Sequence, residues 1–195
     1  MKLIEFVGMP RSGKSTQAEL LKKTLEARGK SVVLITDREH MARLTVPPQE
    51  SLAFALAYYG QLLDTYYTYH EKSDVMIIDR GWSDASVWAD VYRAMKVVTE
   101  EEASALAECF GRFARFATAV VVLRLPPAVS LERHHATLHE QVDEVAMNPE
   151  WLAALAEAYE RRKASFTNHV DIEGEASIEA SHAKIVEFLE ATGSI

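Results

Sequence analysis

The chain has 195 residues, with 21 Lys and Arg against 29 Asp and Glu for a formal net charge of -8, and 48% of its side chains are hydrophobic. That length buries a core without metals or crosslinks, the lone Cys109 excludes an internal disulfide framework, and no apolar run approaches the ~18 residues of a membrane span. Net acidity also argues against extended nucleic acid as a partner, because such binding rests on neutralising phosphates with Lys and Arg.

The first strand starts almost at Met1 with no charged-then-apolar leader, so the expectation is a cytoplasmic protein made of one domain, residues 1–195. Charge is spread unevenly. Residues 1–98 carry 13 basic and 12 acidic side chains, whereas residues 99–195 carry 8 and 17, which places any anion site in the first half.

Lys2-Leu-Ile-Glu-Phe-Val7 is a short apolar run that predicts a strand, and the spacing of Ala18, Leu20, Leu21 and Leu25 predicts a helix over about 14–28. Gly29 stops that helix, and Ser31-Val-Val-Leu-Ile-Thr36 reads as a second strand. A polar loop, 37–48, leads to a long helix from about Gln49 to Glu71. Asp74-Val-Met-Ile-Ile-Asp79 is the third strand, and a helix follows that Ser83 or Asp84 is expected to cap. Thr99-Glu-Glu-Glu102 has the spacing of a capping box and opens another helix to about Phe116. Thr118 to Leu125 is a fourth strand, ended by Pro126-Pro127. Helices are then expected over about 128–136 and from Pro149 to about Ser165, the latter capped by Asn148. A short fifth strand, His169 to Ile172, and an amphipathic helix from Ser177 to Ala191 complete the chain.

Strands alternate with helices and are mostly continuous apolar runs. That pattern predicts an α/β fold, a five-stranded parallel sheet with helices on both faces.

Gly8-Met-Pro-Arg-Ser-Gly13-Lys14-Ser15 fits GxxxxGK[ST] between a predicted strand and a predicted helix, which is the context of a phosphate-binding loop (P-loop). Glycines allow the backbone N–H groups of Gly8, Met9, Pro10 to Gly13 and Lys14 to Thr16, proline excepted, to turn toward phosphate oxygens, and the helix N-terminus adds partial positive charge. The expected ligand is ATP with Mg²⁺. Lys14 reaches the β- and γ-phosphates, Ser15 supplies a hydroxyl to the metal, and Thr16 lies near the α-phosphate. Asp79, closing the third strand, is the expected carboxylate of the Mg²⁺ shell, and Arg80 beside it faces the crevice at the carboxyl ends of the strands.

The loop Phe6 to Gln17, the Asp79-Arg80 pair and the segment Leu125-Pro-Pro-Ala-Val-Ser-Leu-Glu-Arg133 together resemble thymidylate kinases and the related deoxynucleoside kinases. The resemblance covers nearly the whole chain and implies a P-loop phosphotransferase with a small helical lid, mapping to about 134–147, and Arg133 at its base lining the donor site. It also implies that Arg11, at the third variable position of the loop, supplies the charge that another branch carries on a lid arginine. The chain departs from the thymidylate kinase pattern on the acceptor side. Pro10 stands where that branch has an acidic residue, Phe54 to Gln61 contains no arginine, and Arg38-Glu39-His40 replaces Arg-Glu-Pro.

Asp37, Arg38, Glu39 and Arg43 follow the second strand. A carboxylate there, Glu39 or Asp37, can take the proton of an attacking hydroxyl, and an arginine can instead grip an acceptor phosphate. The expected substrate is therefore a nucleoside monophosphate, with a nucleoside or another small alcohol as the alternative. An accessory ATPase or nucleotide-binding switch is the competing class. Gln61 is placed to read a base edge, and the aromatic residues Phe54, Tyr58, Tyr59, Tyr66, Tyr67 and Tyr69, with Trp82 and Trp88, to pack in the core or stack on the base. His134, His135 and His139 raise the thought of zinc, but no Cys or evident fourth ligand accompanies them. A homodimer is compatible with the resemblance, although no heptad pattern requires one.

Overall fold

The computed structural model describes residues 1–47, 51–136 and 147–195. Five strands form one parallel sheet: β1 (Lys2–Gly8), β2 (Val32–Ile35), β3 (Val75–Asp79), β4 (Ala119–Arg124) and β5 (His169–Glu173), in the order β2-β3-β1-β4-β5. The helices are α1 (Lys14–Ala27), α2 (Asp37–Met41), α3 (Ser51–Tyr69), α4 (Trp82–Ala94), α5 (Glu100–Ala114), α6 (Pro127–Ala136), α7 (Pro149–Arg162) and α8 (Ile178–Ala191). The expected α/β architecture is present. Among the described residues, no helix is long and apolar enough to cross a membrane.

Alternation along the strands sorts the core into two layers. Ile4 and Phe6 of β1, with Ile77 and Val121, pack against Ala18, Leu21 and Leu25 of α1 and Ile185 and Leu189 of α8. Leu3, Met76 and Ile78 face the other way, toward α3, α4 and α5. Val7, Val120 and Val122 on that same side meet α4 and α7. Continuous apolar strands are thus explained by burial on both faces.

Three local expectations are corrected. The predicted loop after β2 contains a helical turn, α2, because Thr36 and Glu39 form a small capping arrangement: the Glu39 N–H donates to Thr36 Oγ1 at 3.2 Å and Thr36 Oγ1 donates to Glu39 Oε2 at 2.9 Å. Neither Ser83 nor Asp84 caps α4. Its first turn starts at Trp82, and the buried Glu5 of β1 accepts from the N–H groups of Trp82 (3.1 Å) and Ser83 (2.9 Å). The last predicted turn of α7 is a short 3-10 helix, Lys163–Ser165. The expected caps at Thr99, a full capping box, and at Asn148 are both formed.

Of the lid expected over about 134–147, residues 134–136 close α6 and Met147 is buried beside α7, while 137–146 lie outside the described residues.

Candidate functional site

The loop between β1 and α1 takes its shape from three residues in the left-handed region: Gly8 (φ 129°), Arg11 (φ 58°) and Gly13 (φ 96°). Gly8 has a second constraint, since a Cβ there would lie 2.1 Å from the Leu123 carbonyl oxygen of β4. The loop's next N–H, that of Met9, donates to the same carbonyl at 3.1 Å. Arg11, an L-residue, carries its positive φ at an energetic cost that neighbouring contacts must offset. Those contacts come from α6. Ser130 Oγ donates to the Pro10 carbonyl (2.8 Å), Arg133 Nη1 donates to the Arg11 carbonyl (3.2 Å), and Arg11 Nη2 lies 3.3 Å from His134 Nδ1.

Inside the loop, Lys14 Nζ donates to the carbonyls of Met9 (2.8 Å) and Gly8 (3.2 Å). Burial and the nearby charge of Arg80 pull its ammonium down to about 8, against the opposing pull of Asp79, Asp84 and Asp37. Met9 itself is a core side chain, and Ser12 is buried.

Ser15 Oγ donates to Asp79 Oδ2 at 2.5 Å, whereas the buried Oδ1 of Asp79 has no hydrogen-bond partner. Burial raises the Asp79 carboxyl above its ordinary range, with Asp37 adding to the effect and Lys14, Ser15 and Arg80 opposing it. A buried carboxylate with an idle oxygen beside a serine hydroxyl is a donor set that suits a hard divalent cation. Among the described residues, no group of three or more His, Cys, Asp or Glu gathers around a common point, and His139 lies outside them.

Arg80 stands at the carboxyl end of β3 with φ 67°. Its N–H donates to the Phe6 carbonyl at 2.9 Å, which holds the strained conformation, and its own carbonyl lies 3.2 Å from the Tyr58 hydroxyl oxygen. The guanidinium is clamped from two sides: Nε donates to Asp37 Oδ2 (3.0 Å) and Nη1 to Asp84 Oδ2 (3.3 Å), over the Trp88 ring at 5.6 Å. Burial opposes its charge, but Asp37 and Asp84 outweigh that and hold it well above the ordinary arginine value. Tyr58 donates its hydroxyl to Asp37 Oδ1 at 2.9 Å. His40, buried and therefore shifted toward its neutral form, donates from Nε2 to the Tyr58 carbonyl at 2.9 Å and ties α2 to α3.

These elements enclose an open crevice of about 580 Å³, lined by Pro10, Arg11 and residues 13–16 of the loop, by Asp37, Arg38, Met41 and Ala42 from the α2 region, and by Asp79 and Arg80. The volume suits a small organic ligand. All of its lining comes from the near-neutral first half, where the charge distribution had placed an anion site.

The sequence-derived candidates divide here. Arg11, Lys14, Ser15, Thr16, Asp37, Arg38, Asp79 and Arg80 share the crevice. Glu39 is exposed and engaged with Thr36, Arg43 is exposed beyond the end of α2, and Gln61 lies further along α3; none of the three lines it. Trp82 belongs to the core with Tyr66, Phe113 and Phe116, and Tyr59 packs on Phe110. The reading missed Asp84, Tyr159 and Ser130, whose contacts span 75 to 151 positions of chain.

Among solved structures, the chain is similar to deoxyadenosine kinase from M. mycoides with bound dATP, at a TM-score of 0.73 and 14% identity over 96% of this chain and 99% of that one. The same enzyme with dCMP and a flexible dCDP bound aligns at 0.68 and 14% identity, covering 97% and 99%. The chain shares with them the P-loop α/β fold, a five-stranded parallel sheet with helices on both faces. A family model described as chromatin associated protein KTI12 matches residues 1–50, from β1 through the α2 region. No curated protein matches by sequence.

Proposed function

We propose that the chain transfers the γ-phosphoryl group of ATP to a hydroxyl of a small acceptor, with a nucleoside-like alcohol as the acceptor class. The observation that supports this most is the Asp37 carboxylate, which lines the crevice across from the phosphate loop, held by Arg80 Nε and the Tyr58 hydroxyl. A carboxylate fixed in this way is oriented to receive a proton.

The backbone from Gly8 to Thr16 cradles the donor phosphates. Lys14 and Arg11 stabilise charge on the transferred group, and Arg133, which does not itself line the crevice, supports Arg11 through its carbonyl. Ser15 and Asp79 would hold Mg²⁺, which when bound supplies charge neutralisation between the donor's phosphates. The acceptor oxygen forms a bond to the γ-phosphorus as the bond to the β,γ-bridging oxygen breaks. The hydroxyl proton passes to Asp37, and ADP leaves. Arg80 and Arg38 orient the acceptor.

Arg38, on the crevice wall, favours a second reading, a nucleoside monophosphate kinase in which that guanidinium grips the acceptor phosphate. Incubation with Mg·ATP and parallel panels of nucleosides and 5′-monophosphates separates the two. Products from unphosphorylated acceptors support the first reading, and products from monophosphates alone replace it with the second.

A further inference from the structure

Asp84 is fully buried at the start of α4 and accepts from three donors: Arg80 Nη1 (3.3 Å), Trp88 Nε1 (2.9 Å) and the Tyr159 hydroxyl. Tyr159 in turn accepts the Gly8 N–H at 2.7 Å. A continuous chain of bonds therefore runs from the first glycine of the phosphate loop through Tyr159 and Asp84 to Arg80, and on to Asp37 and Tyr58. Two carboxylates thus face one guanidinium. Arg80 lines the crevice, its Nη2 makes no bond to a described residue, and its charge is already compensated from behind the wall.

We infer that Asp84 is a specificity-determining positioning residue: by neutralising Arg80 from behind the crevice wall, it tunes the acceptor side toward uncharged alcohols and against acceptors that carry a phosphate. This rests on the proposed kinase reading for the word acceptor, but not for its charge argument. A guanidinium held by one carboxylate forms a neutral pair that a dianion can approach, whereas one held by two belongs to a net negative cluster that repels it. Tyr159 positions Asp84 and shares its hydroxyl with the Gly8 amide, so the same contact registers the acceptor wall against the donor loop.

The test uses inorganic phosphate as the probe, titrated by calorimetry into wild type, Asp84→Asn, Arg80→Ala and the double variant. The titrations are run with the loop saturated by a non-hydrolysable ATP analogue, so that phosphate reports on the acceptor side, because Asp84 and Arg80 also act on Lys14 and, through Tyr159, on Gly8. The expected result is that Asp84→Asn binds phosphate at least about fivefold more tightly than wild type, and that the gain disappears in the Arg80→Ala background. A merely structural role would weaken binding. Equal or weaker affinity in Asp84→Asn, or a gain that survives loss of Arg80, overturns the inference. Where Asp84→Asn does not fold, the side-chain ¹⁵N spectrum of the wild type decides: two resolved Nη signals for Arg80 report the double clamp, and one averaged signal overturns it. Failure of the kinase reading is read separately, as absence of product in the ATP panels.

Discussion

At the residue scale, the chemistry centres on Lys14, moved away from its ordinary protonation by burial, and on Asp37, which lines the crevice. Lys14, drawn down to about 8, is held by carbonyl oxygens of its own loop, and phosphates arriving there would restore its pKa toward the unburied value. Nucleotide binding is therefore expected to take up about half a proton at pH 8 and almost none at pH 6.5. Calorimetry in buffers of different ionisation enthalpy measures this, and an uptake that does not grow between those pH values would contradict it. Lys14→Ala is expected to cut phosphoryl transfer by more than about 100-fold while circular dichroism and the thermal midpoint stay near wild type, since the lysine's burial opposes folding. Asp37→Asn should lower kcat by about 100-fold with ATP affinity within threefold of wild type. A larger effect on ATP affinity than on turnover would remove Asp37 as the base.

At the element scale, the first turn of α4 depends on a residue from a different strand. Glu5 supplies two acceptors to the Trp82 and Ser83 amides, and Gly81 makes room for it, since a Cβ there would lie 2.3 Å from Glu5 Cδ. Glu5→Ala leaves two buried amides unsatisfied and is expected to cost about 2–4 kcal/mol in urea denaturation. Burial pushes the Glu5 carboxyl up to about 7, with the Asp84 charge adding and the Ser83 and Trp82 hydrogen bonds opposing. The folded state then binds more protons than the unfolded chain between about pH 4.5 and 7, so this group's share of stability is present below that window and lost as pH rises through it. Comparing the pH dependence of unfolding free energy for wild type and Glu5→Gln should show a shallower fall for the variant.

The elements also show what could be read ahead of the structure. Phosphate loop, strands, the capping box at Thr99 and the cap at Asn148 are local patterns, and local patterns survive into the fold. Thr36-Asp-Arg-Glu39 has the same capping spacing as Thr99 to Glu102, so α2 was legible but was passed over among loop-like neighbours. Glu5, Asp84 and Tyr159 were not legible. Glu5 and Tyr159 acquire their roles from partners 75 or more positions away, and a single acidic residue in an apolar strand or a lone tyrosine in an amphipathic helix carries no mark of it; Asp84 sits four residues from Arg80 and Trp88, but its burial and its bond to Tyr159 are set by the fold. Which of Asp37, Glu39 and Arg43 lines the crevice likewise follows from where α2 turns, which the pattern of residue types alone does not contain.

At the scale of the whole molecule, acidity and function occupy different regions. The net charge of -8 is concentrated beyond residue 98, whereas the crevice is built from residues 10–80, so a small polyphosphate meets a near-neutral surface on an otherwise anionic protein. The rear of the site is braced by Asp90 of α4, which binds Arg162 of α7 through both oxygens at 2.8 Å, with Arg93 and Arg161 nearby. Burial alone would raise that carboxyl, but the Arg162 hydrogen bonds and the surrounding arginines hold it below its ordinary range. Asp90→Ala should therefore destabilise the fold by about 1–2 kcal/mol, because the arginines it pairs with are partly exposed and water replaces part of the lost interaction, a loss that chemical denaturation reads directly.

The central position of β1 carries an implication for synthesis. The strand emerges first, yet its two neighbours, β3 and β4, end at residues 79 and 124, and the phosphate loop leans on the carbonyl of Leu123. The nascent chain must hold an apolar, unpaired strand until β3 and β4 have been made, before the loop that follows it can acquire its shape. Nucleotide affinity becomes a reporter of how far assembly has progressed: stalled chains exposing residues only to 115 should fail to retain ATP, and those exposing the sheet through β5 should bind it.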